Sequence, residues 1–208
     1  AVGKSGKVAL QQALDYYDAV VNSDSSRVDG KERNPERAKL LLRSYSRNIG
    51  SQAKFEEIRQ DILGNDVDSF SIDTLYDYLN ALKKIFVVED APAWNPNLRS
   101  KAAIRNTDTR YFVDPSIATA SLGLGPKDLI NDLSARGLRF ENLCVRDLRI
   151  YAQSIGGEIY HYRDKSGLEC DTVVHLRNGS YGLVEIKLGG DKLIEEGCAT
   201  LNKFEKII

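Results

Sequence analysis

Residues 168–189 read LECDTVVHLRNGSYGLVEIKLG, and their pattern decides the second half of the fold. Two runs rich in β-branched and apolar residues, 168–176 and 181–188, flank Arg177-Asn178-Gly179-Ser180, a turn of the hairpin type. Asp171 lies on the first run, and Glu185 and Lys187 lie on the second. Asp171 and Glu185 can therefore face one another across the ladder. Because strand side chains alternate, Glu185 and Lys187 share one face while Val184, Ile186 and Leu188 share the other. Two carboxylates offer the hard oxygen ligands that magnesium or manganese takes. A lysine beside them can activate a water or stabilise charge on a phosphate. The competing reading is a solvated cross-strand ion pair worth roughly a few tenths of a kcal/mol.

Working outward, a third strand at 158–163 joins the hairpin through Asp164-Lys165-Ser166-Gly167, making a meander. A helix over 138–154, ended by Gly156-Gly157, precedes it and carries Glu141, a carboxylate that can complete a metal shell. A shorter helical stretch covers 126–134. A last helix over 193–207 follows Gly189-Gly190-Asp191.

The N-terminal half has a different period. Leu10, Leu14, Tyr17 and Val21 form the stripe of an amphipathic helix over 8–21, and the polar segment 22–34, NSDSSRVDGKERN, reads as a linker. Pro35 opens a helix over 35–49 whose apolar face is Ala38, Leu41, Leu42, Tyr45 and Ile49, with Lys39, Arg43 and Arg47 stacked on another face and Gly50 as the stop. Ser51 caps a helix to 63. Ser71 caps one over 72–85, with Ile72, Leu75, Leu79, Leu82 and Phe86 as a seam. Strands at 86–88 and 110–113 then bracket a loop punctuated by Pro92 and Pro96, where Trp94 serves as an anchor. Three helices followed by a hairpin is the order of a winged helix. Residues 27–47 carry seven basic and three acidic side chains, and Arg99, Lys101, Arg105 and Arg110 surround the loop. Arg43, Arg47, Arg99, Lys101 and Arg105 are thus candidate contacts to nucleic-acid phosphates, although Asp73 and Asp77 on the third helix oppose them.

Composition bounds the rest. A chain of 208 residues with net charge −1 has no global attraction to nucleic acid or anionic membrane, so binding to either needs a local patch. No apolar run approaches the length of a membrane span. Neither a secretory nor a transit segment is present, which predicts a cytoplasmic chain without membrane contact. Cys144, Cys170 and Cys198 are odd in number and form no CxxC pair, so they are expected to be small core residues. His161 and His175 lack two further soft ligands and read as ordinary strand residues. Gly3-Lys4-Ser5 lacks the upstream glycine and strand of a phosphate loop, so no nucleotide site is expected in this chain.

The runs FENLCVRDLRIYAQ, YHYRDKSGLECDTVVHL and YGLVEIKLG resemble the PD-(D/E)XK, restriction-endonuclease-like superfamily, whose pattern is a helical Glu, an Asp and Glu-x-Lys. Together with SRVDGKERNPERAKLLLRSYSRNI and YFVDPSIA they are similar to the C-terminal region of bacterial and archaeal AAA+-type ATPases that carry the domain-of-unknown-function family 4143, over about residues 21–204. The resemblance implies Glu141, Asp171, Glu185 and Lys187 as catalytic residues, with Asp171, Glu185 and Glu141 holding Mg2+ or Mn2+ for phosphodiester hydrolysis. It also implies that an ATPase module of the same protein precedes this region, making the chain a fragment. The expected fold class is α/β and α+β: an N-terminal helix and linker over 1–34, a winged helix over 35–114, and a restriction-endonuclease-like mixed-sheet domain over 115–208. Two functions follow as expectations: a DNA-directed, magnesium-dependent nuclease-like module of an ATPase, or a non-catalytic module coupling the ATPase to DNA or a protein partner.

Overall fold

The structure is a computed structural model describing residues 5–64, 69–96 and 107–205. It is mixed α/β, and it divides into two compact units: Ala1–Glu89 with Arg110–Leu133, and Asp90–Thr109 with Ser134–Ile208. The expected cuts at 34/35 and 114/115 differ from this division.

In the first unit, α1 (Gly6–Ala19) starts at Ser5, whose hydroxyl accepts the Val8 N–H at 3.4 Å. That serine is a helix cap, and Gly3 and Lys4 lie outside the described residues. Leu10 and Leu14 remain 36% and 41% exposed, lining a groove of about 570 Å³ with Ala120, Leu124 and Pro126. Full burial begins only at Val20 and Val21, in a π-helical turn (Val20–Asp24) that leads into α2 (Ser25–Arg27).

The expected linker is a built structure. The Arg33 side chain is 2% exposed and grips Asp29 with both terminal nitrogens at 2.8 Å. It also donates to the Ser25 carbonyl at 2.6 Å and, through Nε, to Asp77 at 3.0 Å. Lys31 meets Asp77 as well, at 2.7 Å. Asp77, read from sequence as an acidic obstacle on the third helix, is the far anchor of this clasp. The hydrogen bond from Arg33 holds the Asp29 carboxyl well below its usual range, and those from Lys31 and Arg33 lower Asp77. Lowered carboxyls contribute stability above their unfolded value of 3.8 and lose it as pH falls through their folded values. The melting temperature of the helical unit should therefore drop below about pH 3.8, and Asp77→Asn should flatten that drop; a circular-dichroism melt at a series of pH values reads both.

α3 (Pro35–Arg47) is capped by Asn34, whose side chain accepts the Glu36 N–H at 2.8 Å, with Pro35 at the first helical position. Its face of Ala38, Leu41, Leu42 and Tyr45 is buried, and so is Ile49. Gly50, with φ of 70°, ends the segment. Ser51 does not cap the next helix: its hydroxyl donates back to the Asn48 carbonyl at 2.7 Å. α4 (Phe55–Leu63) starts after Lys54, whose N–H is taken by Glu57 at 2.9 Å. α5 (Ile72–Lys84) is capped by Ser71 as expected, and Leu75, Leu79 and Leu82 are buried.

Phe86 departs from the expected seam. It is 72% exposed with φ of 57°. Its N–H donates to the Lys83 carbonyl and that of Val87 to Leu82, the paired bonds that close a helix through a left-handed residue. A phenylalanine there bears the left-handed penalty without a compensating contact in the core. Phe86→Gly should stabilise the unit by about 1 kcal/mol, seen as a higher urea midpoint; a lower midpoint would show that the ring packs.

The strands expected at 86–88 and 110–113 reduce to an isolated antiparallel bridge, Val88 to Phe112, with Tyr45 edge-on to the Phe112 ring at 5.3 Å. Asp114 caps α6 (Pro115–Ser121), which packs on α1 and α3, and α7 (Pro126–Asn131) follows.

The second unit takes α8 (Leu133–Ser154) from residue 134, then β1 (Gly157–Arg163), β2 (Glu169–Leu176), β3 (Tyr181–Val184) and α9 (Asp191–Glu205). Helix α8 starts at 133 rather than 138. The sheet runs β1-β2-β3 and is antiparallel throughout, correcting the expected mixed sheet. Its two short turns dictate this, since parallel neighbours need a long crossover. Among the described residues the parallel pairing is the isolated Ala93–His161 bridge. Trp94, Tyr162, Cys170, Val173 and Phe204 form the core. Trp94 is the expected anchor, its ring 4.8 Å from that of Tyr181. Cys170 is buried, but Cys144 is half-buried and Cys198 is exposed, against the expectation of three core thiols. His161 is buried and bonded to the Thr107 carbonyl at 3.0 Å, and the His175 ring lies tilted against Trp94 and edge-on to Tyr160. No helix among the described residues is long and apolar enough to cross a membrane.

Candidate active site

The β2–β3 ladder runs from His175 opposite Tyr181 to Thr172 opposite Val184 and stops there. The next pair in register is Asp171 with Glu185, the juxtaposition expected from their spacing. The strand expected to reach 188 ends at 184 because a side chain replaces the ladder: Asp171 Oδ2 accepts the Ile186 N–H at 2.7 Å. A backbone donor is thereby satisfied, and the Glu185-Ile186-Lys187 segment is held with its two charged side chains beside Asp171.

Lys187 Nζ closes the arrangement, 2.7 Å from Glu185 Oε2 and 3.3 Å from Asp171 Oδ2. The side chains are 16% exposed for Asp171, 6% for Glu185 and 32% for Lys187. Burial raises the Glu185 carboxyl above its ordinary value, and the neighbouring Asp171 charge adds to this, against the lowering hydrogen bond from Lys187. Burial alone pulls the Lys187 amine down, but the bond to Glu185 and the two negative charges outweigh it, and the amine ends above its usual value. Glu185 Oε1 is buried without a hydrogen-bond partner. A carboxylate oxygen is costly to bury unpaired.

That orphaned oxygen beside the Asp171 carboxylate suits a hard cation, because magnesium is commonly bound by one or two carboxylates with waters and substrate phosphates filling the other positions. Glu141, on α8, is half-buried and does not join them: among the described residues no group of three or more His, Cys, Asp or Glu side chains is placed to hold a metal ion. The structure thus brings together Asp171, Glu185 and Lys187 of the four expected residues.

The expected phosphate contacts fare unevenly. Arg43 is exposed on α3, whereas Arg47 is paired with Asp61 at 2.6 Å and Lys39 with Glu36 at 2.8 Å. Arg99, Lys101 and Arg105 lie outside the described residues. Arg110 is a core element rather than a surface base: it is 3% exposed, lies over the Phe55 ring at 4.1 Å and donates to the Ala53 carbonyl at 3.0 Å. Gly197, against the site on α9, carried no motif; a glycine inside a helical pattern is its one sequence signal.

Residues 3–128 match the family model described as a domain of unknown function, DUF8612. The chain belongs to the DUF8612 family. Its remaining part, residues 136–208, matches a second domain of unknown function, DUF4143. The likeness to DUF4143 expected over 21–204 is therefore confined to the part holding the carboxylate site, and the helices α1 and α3–α6 fall within the DUF8612 match. Neither the comparison with curated proteins nor that with solved structures gives a match.

Proposed function

We propose that the DUF4143 part is a magnesium- or manganese-dependent phosphodiesterase site of the PD-(D/E)XK type acting on DNA. The observation that carries this reading is the meeting of Asp171, Glu185 and Lys187 at the end of the β2–β3 ladder, with Glu185 Oε1 left unpaired. Asp171 and Glu185 would hold the ion, which supplies charge neutralisation at a phosphate and a more acidic bound water. Lys187 stands where its ammonium can stabilise the charge that develops on the scissile phosphate. Asp171 also keeps Glu185 and Lys187 on one side by holding the Ile186 N–H. The helical part is read as a winged-helix-like DNA-directed domain, on the strength of the α3–α4–α5 order followed by the Val88–Phe112 bridge and the exposed Arg43. An ATPase module of the same protein is the working context that the DUF4143 resemblance implies.

One observation favours the second reading, a non-catalytic coupling module: Lys187 already bridges both carboxylates, so one of the two negative charges is neutralised within the protein. Hydrolysis separates the two. With Mg2+ or Mn2+, the protein should cut at least one of branched, single-stranded and duplex DNA, and Lys187→Ala should lower the rate by about 100-fold or more. A protein that binds the metal and leaves all three substrates intact, with Lys187→Ala changing nothing, supports the coupling module instead.

A further inference from the structure

The carboxylate–lysine cluster has a wall that neither the motif nor the two family matches assign. Helix α9 is exposed over residues 191–196 and at Cys198 and Ala199, and between them Gly197 is buried. A Cβ placed on Gly197 would lie 3.5 Å from Glu185 Cβ, 3.6 Å from Lys187 Cγ and 3.9 Å from Lys187 Cε. The helix backbone thus rests against the stems of both side chains at once. A glycine in a helix interior costs stability relative to alanine, and here it sits where a Cβ would be in ordinary van der Waals contact with those stems, so bulk beyond a methyl group has to displace them.

We infer that Gly197 is a positioning residue of the site: the bare helix surface at 197 fixes how Glu185 and Lys187 converge on Asp171. The inference rests on the proposed metal-site reading for its consequence, but its geometry stands independently. The three contact distances are ordinary van der Waals separations, so a methyl group fits without moving anything. A leucine extends two carbons further from the same point, into the volume of the Glu185 and Lys187 stems. Its side chain must push Lys187 off Glu185 or push the helix away from the strand segment, and either outcome breaks the 2.7 Å contact. Ala199, on the opposite side of the same helix and exposed, accepts the same bulk without facing the site.

The experiment uses the full chain as Gly197→Ala, Gly197→Leu and Ala199→Leu. Gly197→Val replaces the leucine variant should that one fail to fold by circular dichroism. Two readouts are taken: Mn2+ affinity by calorimetry, and the rate at which the Lys187 amine is acetylated by acetic anhydride, read by mass spectrometry. Gly197→Ala and Ala199→Leu should keep both wild-type values, whereas Gly197→Leu should lose at least tenfold in Mn2+ affinity and acetylate Lys187 several-fold faster. If no protein, wild type included, binds Mn2+ while Gly197→Leu still exposes Lys187 to acetylation, the metal reading fails and the positioning role stands. Wild-type values of both readouts in Gly197→Leu, or equal losses in Ala199→Leu, overturn the positioning role.

Discussion

Replacing Asp29 and Asp77 together with alanine should lower the urea midpoint of the helical unit strongly, because it strands a buried guanidinium charge. The Arg33 guanidinium has 2% of its side chain exposed and is charged at any accessible pH, so without its two carboxylates it is a buried charge left with the Ser25 and Asp77 carbonyls and the Tyr78 ring. Either single substitution should cost less, because one carboxylate still faces the guanidinium. Adding Arg33→Met to the double variant should recover most of the loss, since a well-packed apolar side chain can replace a buried ion cluster at little cost. Urea unfolding followed by circular dichroism measures all four variants. An unchanged midpoint in the double variant would mean that the clasp does not hold segment 22–34 to α5.

The same clasp shows where sequence reading stops. Periodicity placed α3 and α5 and their buried faces because those faces follow a simple 3.6-residue rule, and the helix-capping roles of Ser71, Pro35 and Gly50 are local chemistry that needs no tertiary partner. Segment 22–34 was opaque because its order comes from one arginine meeting an aspartate on another helix, a contact between residues 33 and 77 that composition registers only as polar linker. Arg110 was misjudged for a related reason: its burial under an aromatic ring depends on where Phe55 falls. At the site, the fourteen-residue spacing correctly paired Asp171 with Glu185, because a hairpin with a short turn leaves little freedom in register. The early end of β3 was hidden, since it results from a side chain competing for the Ile186 amide. Glu141 was drawn in by its place in a motif, and a motif says nothing about the distance from a helix to a strand.

The second large effect is on metal binding. Asp171→Ala removes a candidate ligand and also the acceptor of the Ile186 N–H, so both the charge and the path of the Glu185-Ile186-Lys187 segment are lost. Manganese affinity should fall by at least about 100-fold, the upper end of what removing a merely supporting group costs. Lys187→Ala should leave manganese affinity within a few-fold of the wild type, because the ammonium is bonded to Glu185 Oε2 and leaves the unpaired Oε1 to the ion. The contrast between the two substitutions distinguishes a metal site from a self-contained ion cluster, in which neither would produce a manganese signal. The most direct measurement is calorimetric titration of Mn2+ into the wild-type chain and into Asp171→Ala. The account predicts a saturable heat in the wild type that is lost in the variant, and equal heats in the two, or none in the wild type, would contradict it.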